Sequence, residues 1–332
     1  MQLKNKIEKF KIDFDKKIID YFDKRIHEEK NQELKELFNH LKEYILAGGK
    51  RLRPYILHKI NEEFKQEKGI DNILLSFEFL HNSTLINDDI IDEHFTRRNK
   101  PTLRAVYEKK EYRGDFAALL SANLLRNAGL ELIMQSKLEH EFQRECISAY
   151  LDIGEKIDLA QMLDLEYRKR KDISEEKYLA QTDFVAARFI AHMFKLCAPE
   201  RYKNEFFEIG KKLGIAFQLA DDLMDVDPKK QKGRTLGSDI KEGTPTLLSI
   251  YTFQKLGNKD KEKFKNVFGK KDITENELQW IISQYKKTNA ITHSKEIIKE
   301  NIASANDLLY YTAISKNHWI FQFEKYILKR RN

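Results

Sequence analysis

Disulfides cannot organise this chain. Its 332 residues include only two cysteines, Cys146 and Cys197, too few for a disulfide framework, and they read as buried, reduced thiols of a cytoplasmic protein. Prolines number five and glycines thirteen, and no Pro-, Gly- or Ser-rich stretch marks a linker. The expectation is therefore a single domain spanning 1–332. No apolar run reaches the ~18 residues that cross a bilayer, which argues against an integral membrane segment. Residues 1–26 mix lysine and aspartate at helical spacing without an apolar core, which argues against a signal peptide and predicts an amphipathic helix packed on the domain. Alternating strand pairs and Asn-Gly hairpin turns are also missing.

What is there is helical. Apolar residues recur at three- and four-residue steps through Leu34–Leu46, Ile70–Ile91, Phe116–Met134, Glu141–Tyr167, Glu175–Leu196, Asn204–Val226, Asn276–Tyr285 and His293–Tyr311. Several segments are apolar on more than one face, as helices enclosed by other helices are. The fold expected is all-α, one large helical bundle around a central cavity. Hydrophobic residues make up 41% and charged residues 34%, enough for a substantial core and for many solvated faces. A net charge of +7 attracts anions, whether nucleic acid, membrane surface or phosphorylated metabolites. The lysines are scattered, so no nucleic-acid partner is expected.

The chemistry centres on Asp88-Asp89-Ile90-Ile91-Asp92, which closes an apolar helical run, and on its second copy, Asp221-Asp222-Leu223-Met224-Asp225. Residues i and i+4 share a helix face, so Asp88 stacks over Asp92 and Asp221 over Asp225. Like charges placed this way cost a helix ~0.2–0.5 kcal/mol, and doing so twice implies a compensating cation. Oxygen ligands without interleaved His or Cys point to Mg2+, which shares its coordination with substrate phosphates. Two acidic clusters imply a site between them. Basic elements answer them. Gly48-Gly49-Lys50-Arg51-Leu52-Arg53-Pro54 sets flexible glycines before three cations at a helix boundary, with Lys50 and Arg53 on one face, a phosphate site. Read alone it is as well described as a charged surface loop. His81 lies about two turns before Asp88, near the same face; alone it would be a core histidine.

Taken together, GGKRLRP at 48–54, His81 before DDIID, RRNKPT at 97–102, Gly114-Asp115, Gln161 with Asp164-Leu165, FQLADDLMD at 217–225, GRTLGSD at 233–239 and EGTPTLL at 242–248 resemble the trans-type polyprenyl diphosphate synthases across nearly the whole chain. The resemblance implies an all-α fold of the isoprenoid synthase type, a cytoplasmic homodimer, and a Mg2+-dependent prenyltransferase that extends an allylic prenyl diphosphate with isopentenyl diphosphate. By motif position it implies that Lys50, Arg53, His81 and Arg98 hold isopentenyl diphosphate and that Arg97 and Gln218 face the allylic substrate. It also assigns Asp88, Asp92 and Asp221 to Mg2+, with Asp225 completing the second cluster. Arg234 stands at a substrate-binding position where lysine is usual.

Some positions depart from the family pattern. Val185-Ala186 occupies the place of a Lys-Thr pair that contacts the allylic diphosphate, and Thr244 replaces a second lysine after Gly243. Arg188, about one turn beyond Val185, is expected to restore the lost charge. A non-catalytic subunit of a heteromeric synthase would explain Val185 but not two intact acidic clusters. A terpene cyclase would have little use for a second diphosphate site. Product length should be set before Asp88. Where the resemblance puts a blocking aromatic, five residues before Asp88, this chain has Ser83, with Thr84 beside it. Steps of three lead back to Leu80, which could narrow a tunnel, and Phe77, which could close it about 9 Å deeper. The expected product is C20 or longer.

Overall fold

The computed structural model describes residues 3–170, 173–228, 236–312 and 319–331, and it is built almost wholly of α-helices. Contacts divide the chain into two compact units, Met1–Gly154 with Leu196–Pro199 and Glu155–Lys195 with Glu200–Asn332.

The first unit contains α1 (Leu3–Glu28), α2 (Gln32–Leu46), α3 (Leu52–Ile60), α4 (Asp71–Ile91), α5 (Leu103–Glu108), α6 (Gly114–Met134) and the first part of α7 (His140–Arg168). Along α1, Leu3, Ile7, Phe14, Ile18 and Phe22 are buried, the stripe of an amphipathic helix laid on the unit. Asn31 starts α2 by accepting the Leu34 amide at 2.9 Å on its side chain, a cap worth about 1 kcal/mol. Every residue of α4 from Ile73 to Leu80 is buried, so this helix has no solvent face there, and it packs against α6. Its end is therefore placed by the core.

The second unit continues through α8 (Glu175–Thr182), α9 (Arg188–Lys195), α10 (Lys203–Asp225), α11 (Ser238–Glu242), α12 (Leu247–Lys255), α13 (Asn258–Val267), α14 (Glu275–Lys287), α15 (Ala290–Tyr311) and α16 (Trp319–Arg331). The long helix α10 lies against α9 and α15. A Cβ at Gly214 would meet the Ala187 Cα at 2.5 Å, and one at Gly210 the Ala191 Cα at 2.7 Å. These two glycines, one turn apart, let α10 close onto its neighbour and so fix where its acidic end lies within the unit.

Each periodic segment falls in a helix. Two details differ from the sequence reading. Glu175–Leu196 is not one regular helix: Asp183–Ala187 forms a wider π turn between α8 and α9. Thr96–Arg97 (β1) and Lys100–Pro101 (β2) pair as a small antiparallel hairpin, with Arg98 and Asn99 at φ of 53° and 61°. Two positive φ values are what a tight I′ turn needs, and only the asparagine advertises it. The short helices α3, α5, α11, α12 and α13 carry too few turns for a clear period.

Candidate active site

The hairpin delivers two arginines to different partners in the first unit. Asp88 lies in the last turn of α4 and Asp92 caps it, its amide donating to the Asp88 carbonyl at 2.8 Å, so the two stand one turn apart as expected, both half-buried. Between them Asp89 is buried and accepts from the Tyr44 hydroxyl and from Arg97 Nε, each at 2.7 Å. Arg97 is thus held by the middle aspartate. Tyr44 and Asp89, which sequence reasoning passed over, are its positioning residues. A buried acid two positions from a helix end has no sequence signal beyond the motif itself.

Arg98 turns the other way, its Nη1 donating to the Gly48 carbonyl at 2.6 Å. A Cβ at Gly48 would meet Arg98 Cδ at 2.8 Å, and one at Gly49 would meet guanidinium nitrogens of Arg51 and Arg98 at 3.2 Å; both glycines have positive φ. The glycine pair is a seat for Arg98 as well as a turn. Arg51 is 2% exposed and donates to Asp15, Glu78 and the Ile45 carbonyl, all at 2.7 Å. It anchors the loop, which leaves the flanking cations, exposed Lys50 and half-buried Arg53, as the ones a ligand can use. Arg53 Nη1 lies 3.2 Å from His81 Nε2. A guanidinium can only donate, so His81 accepts there as a neutral imidazole. Burial first, then Arg53, Arg98, Arg97 and Arg51, holds His81 well below its ordinary pKa. Burial, with Arg97 and Arg51 beside it, also lowers Arg98. Arginines gathered around a neutral histidine form a site for an anion.

In the second unit the acidic end of α10 has other surroundings. Asp221 is half-buried. Asp222 is buried and accepts from the Tyr178 hydroxyl and from Gln218 Nε2, the latter at 2.9 Å. Burial foremost, with repulsion from Asp221 and Asp225, pushes Asp222 up to about 7 against those hydrogen bonds. Asp225, expected as a metal ligand, accepts from the Ser238 amide at 3.0 Å, the Ser238 hydroxyl at 2.5 Å and the Asp239 amide at 3.2 Å. It fastens the start of α11 to the end of α10. Asp239, which the sequence reading did not single out although it closes GRTLGSD, is raised well above its usual value by burial and by Asp225, Asp222, Glu242 and Asp221.

Both helices carry carboxylates at their C-terminal ends, where the macrodipole disfavours them by ~0.3–1 kcal/mol each. Burial first, and then repulsion among its own carboxylates, raises the proton affinity of the second cluster. The aspartates offer oxygen, and in the first unit His94 Nδ1 lies near them, 3.9 Å from Asp89. Each pair by itself fits a hard divalent cation, Asp88 with Asp92 in the first unit and Asp221 with Asp225 in the second.

The remaining expected residues fall as follows. Phe77, Leu80 and Ser83 are fully buried and Thr84 nearly so. Phe77 lies 5.8 Å from the Tyr150 ring between centroids. Ser83 and Thr84 donate to the carbonyls three residues back, of Leu80 and His81, at 2.7 and 2.8 Å, so both positions stay small with their donors met. Arg234 lies outside the described residues. Arg188 is not one α-helical turn from Val185, because the π turn intervenes. It pairs instead with Asp183 at 3.7 Å, a residue that also meets Lys211 at 3.2 Å, and lies 5.8 Å over the Phe207 ring.

Known proteins resemble this chain in sequence and in fold. The polyprenyl synthetase family profile matches residues 35–285. A short chain isoprenyl diphosphate synthase of Methanocaldococcus jannaschii is 30% identical over 78% of this chain and 81% of its own. The crystal structure of geranylgeranyl pyrophosphate synthetase from Pyrococcus horikoshii superposes with a TM-score of 0.85 at 27% identity, covering 99% of this chain and 98% of that one. Geranylgeranyl pyrophosphate synthase from Corynebacterium glutamicum, solved with isoprenyl diphosphate and magnesium, gives 0.85 at 23% identity, covering 98% of each chain. The fold is the all-α fold of these synthases.

Proposed function

The chain belongs to the polyprenyl synthetase family, and from that membership we propose that it joins isopentenyl diphosphate to an allylic prenyl diphosphate, giving a longer trans-prenyl diphosphate of C20 or more. The observation that carries this reading is the presence of two kinds of diphosphate-binding chemistry. Acidic helix ends can reach a diphosphate only through a cation, whereas the cations around neutral His81 can hold one directly.

Magnesium held by Asp88 and Asp92 and by Asp221 and Asp225 would neutralise the allylic diphosphate as a leaving group. Arg97, fixed by Asp89, adds positive charge where negative charge grows as the carbon–oxygen bond breaks. Gln218, hydrogen-bonded to Asp222, is oriented on the same helix face. Arg53, His81, Arg98 and Lys50 hold isopentenyl diphosphate, whose double bond attacks the allylic cation. The departed diphosphate takes the proton, so no protein base is required. Buried apolar residues of α4 such as Leu80 and Phe77 exclude water from the growing chain.

The enzyme acts as a cytoplasmic homodimer in this reading. Phe116, Leu120 and Leu124 recur every fourth residue along α6 with large exposed surfaces, Leu120 at 63%, an apolar stripe suited to a second copy. Among the described residues no helix is long and apolar enough to cross a membrane. Small Ser83 and Thr84 leave room for C20, with Phe77 as the floor. Incubation with Mg2+, isopentenyl diphosphate and an allylic primer, followed by chromatography, tests the whole. We expect C20 as the main product, shorter chains from Ser83→Phe and longer ones from Phe77→Ala. A wild-type product of C15, or cyclised hydrocarbon without elongation, would overturn it.

A further inference from the structure

We propose that the face formed by α12 and α13 docks on an anionic lipid surface. From Lys255 to Lys271 the sequence carries seven lysines against Asp260 and Glu262 alone, within a chain whose net charge is +7. Lys255, Lys259, Lys263, Lys265 and Lys271 are exposed and Lys261 is half-exposed. Glu262 pairs with Lys265 at 2.8 Å and offsets part of its charge.

The lysines are layered on aromatic rings. The ammonium of Lys263 lies 4.3 Å from the Trp280 ring centre and that of Lys255 5.3 Å from Tyr251, while Lys261 and Lys265 flank Phe253 at 5.6 and 5.8 Å. Their alkyl stems cover apolar surface while the charged heads reach water. Beside Phe253 runs a groove of about 290 Å³ whose walls include Ile173, Ile250, Phe264 and Phe268, with Arg170 and Lys261 among its lining.

This combination matches a bilayer interface better than a free anion or a nucleic acid. A small anion needs donors that converge, whereas these ammoniums are spread from the end of α12 along α13, with Lys263 on the Trp280 flank and Lys261 and Lys265 on the Phe253 flank. Within a Debye length of about 10 Å they act together on a surface of negative charge. Aromatic rings settle at headgroup depth, and an apolar groove can take part of a lipid tail. Each lysine near such a surface strengthens binding by about fivefold.

Sedimentation of the full chain with vesicles of phosphatidylcholine, alone or with about a third phosphatidylglycerol, tests the proposal. We expect binding only to the anionic vesicles, lost in high salt. Replacing Lys259, Lys261, Lys263 and Lys265 together by Gln should weaken it at least about a hundredfold, and Phe253→Gln by a smaller factor without changing the salt dependence. The same neutralisation on α1, at Lys4, Lys6, Lys9 and Lys11, should leave binding intact. Turnover of dissolved substrates by the α13 variant should stay at the wild-type value, which shows that it folds and separates this outcome from any failure of the catalytic reading. No binding to anionic vesicles, or equal loss from the α1 and α13 variants, would overturn it.

Discussion

Two helices end in the same five-residue pattern, α4 in Asp88–Asp92 and α10 in Asp221–Asp225, yet the inner aspartates have opposite surroundings. Asp89 meets a guanidinium and a tyrosine hydroxyl. Asp222 meets a tyrosine hydroxyl and an amide, with like charges on either side, and is pushed up to about 7. The last aspartates differ too: Asp92 caps its own helix, whereas Asp225 binds the start of the next. A repeated motif therefore fixes residue types without fixing their roles. The outer positions Asp88 and Asp221 are alike in half-burial and in lying one turn before the last acid, while the inner ones orient different elements.

The largest effect should fall where the two ends are alike. Asp88→Ala and Asp221→Ala should each lower kcat/KM by about a thousandfold or more, the several kcal/mol that metal charge supplies in such steps. Steady-state kinetics across a Mg2+ titration checks this. If one variant keeps near wild-type turnover, the two ends do not share a metal-binding role and the comparison breaks.

A smaller, unequal pair of effects should appear at the inner positions. Asp89→Asn leaves buried Tyr44 and half-buried Arg97 without their carboxylate, at a cost of about 2 kcal/mol in stability and with a fall in kcat as Arg97 loses its hold. Asp222→Asn resembles the protonated acid, a form that the rise to about 7 makes accessible there, and should cost less in stability. Chemical denaturation of both variants, with kcat measured in parallel, tests the ranking. Equal losses would mean that the surroundings do not distinguish these two residues.

Much of this was legible before the structure, for physical reasons that can be named. Long helices such as α4 and α10 announce themselves because burial imposes a period on many turns. Asp88, Asp92 and Asp221 announce themselves because stacked like charges are costly unless something compensates. The hairpin at Arg97–Lys100 is hidden because its signal is one asparagine, and Arg51 looks like Lys50 and Arg53 because only the fold decides which cation of three is enclosed. The π turn at Asp183–Ala187 is invisible to periodicity, which is why Arg188 was expected to stand over Val185 and instead meets Asp183. Tyr178 and Tyr44, 44 and 45 residues from their acids, are contacts that no local pattern contains.

A carboxyl outside both clusters supplies a further contrast. Glu324 on α16 is 5% exposed, and its Oε1 meets no donor among the described residues. Burial alone drives its pKa up to about 7, against a hydrogen bond from Asn306 and the charge of Lys325. A folded-state value above the unfolded one means that the folded chain binds the proton more tightly. Stability should therefore fall as pH rises from about 4.5 to about 7, and the full cost of burying the charge is present above that. Glu324→Gln removes that cost. The variant should be more stable than wild type at pH 8 by about 1–3 kcal/mol, with the gap closing as pH falls to 5. Because no acid neighbours Glu324 among the causes of its shift, the gap should be indifferent to Mg2+. The raised carboxyls at the end of α10 should behave differently, since a cation that binds there displaces protons and lowers their apparent pKa. Thermal melts of wild type and variant from pH 5 to 8, with and without Mg2+, separate the two cases. A Glu324→Gln gap that vanished on adding Mg2+ would tie α16 to the metal site and erase the distinction between a carboxyl raised by burial alone and carboxyls raised by burial with acidic neighbours.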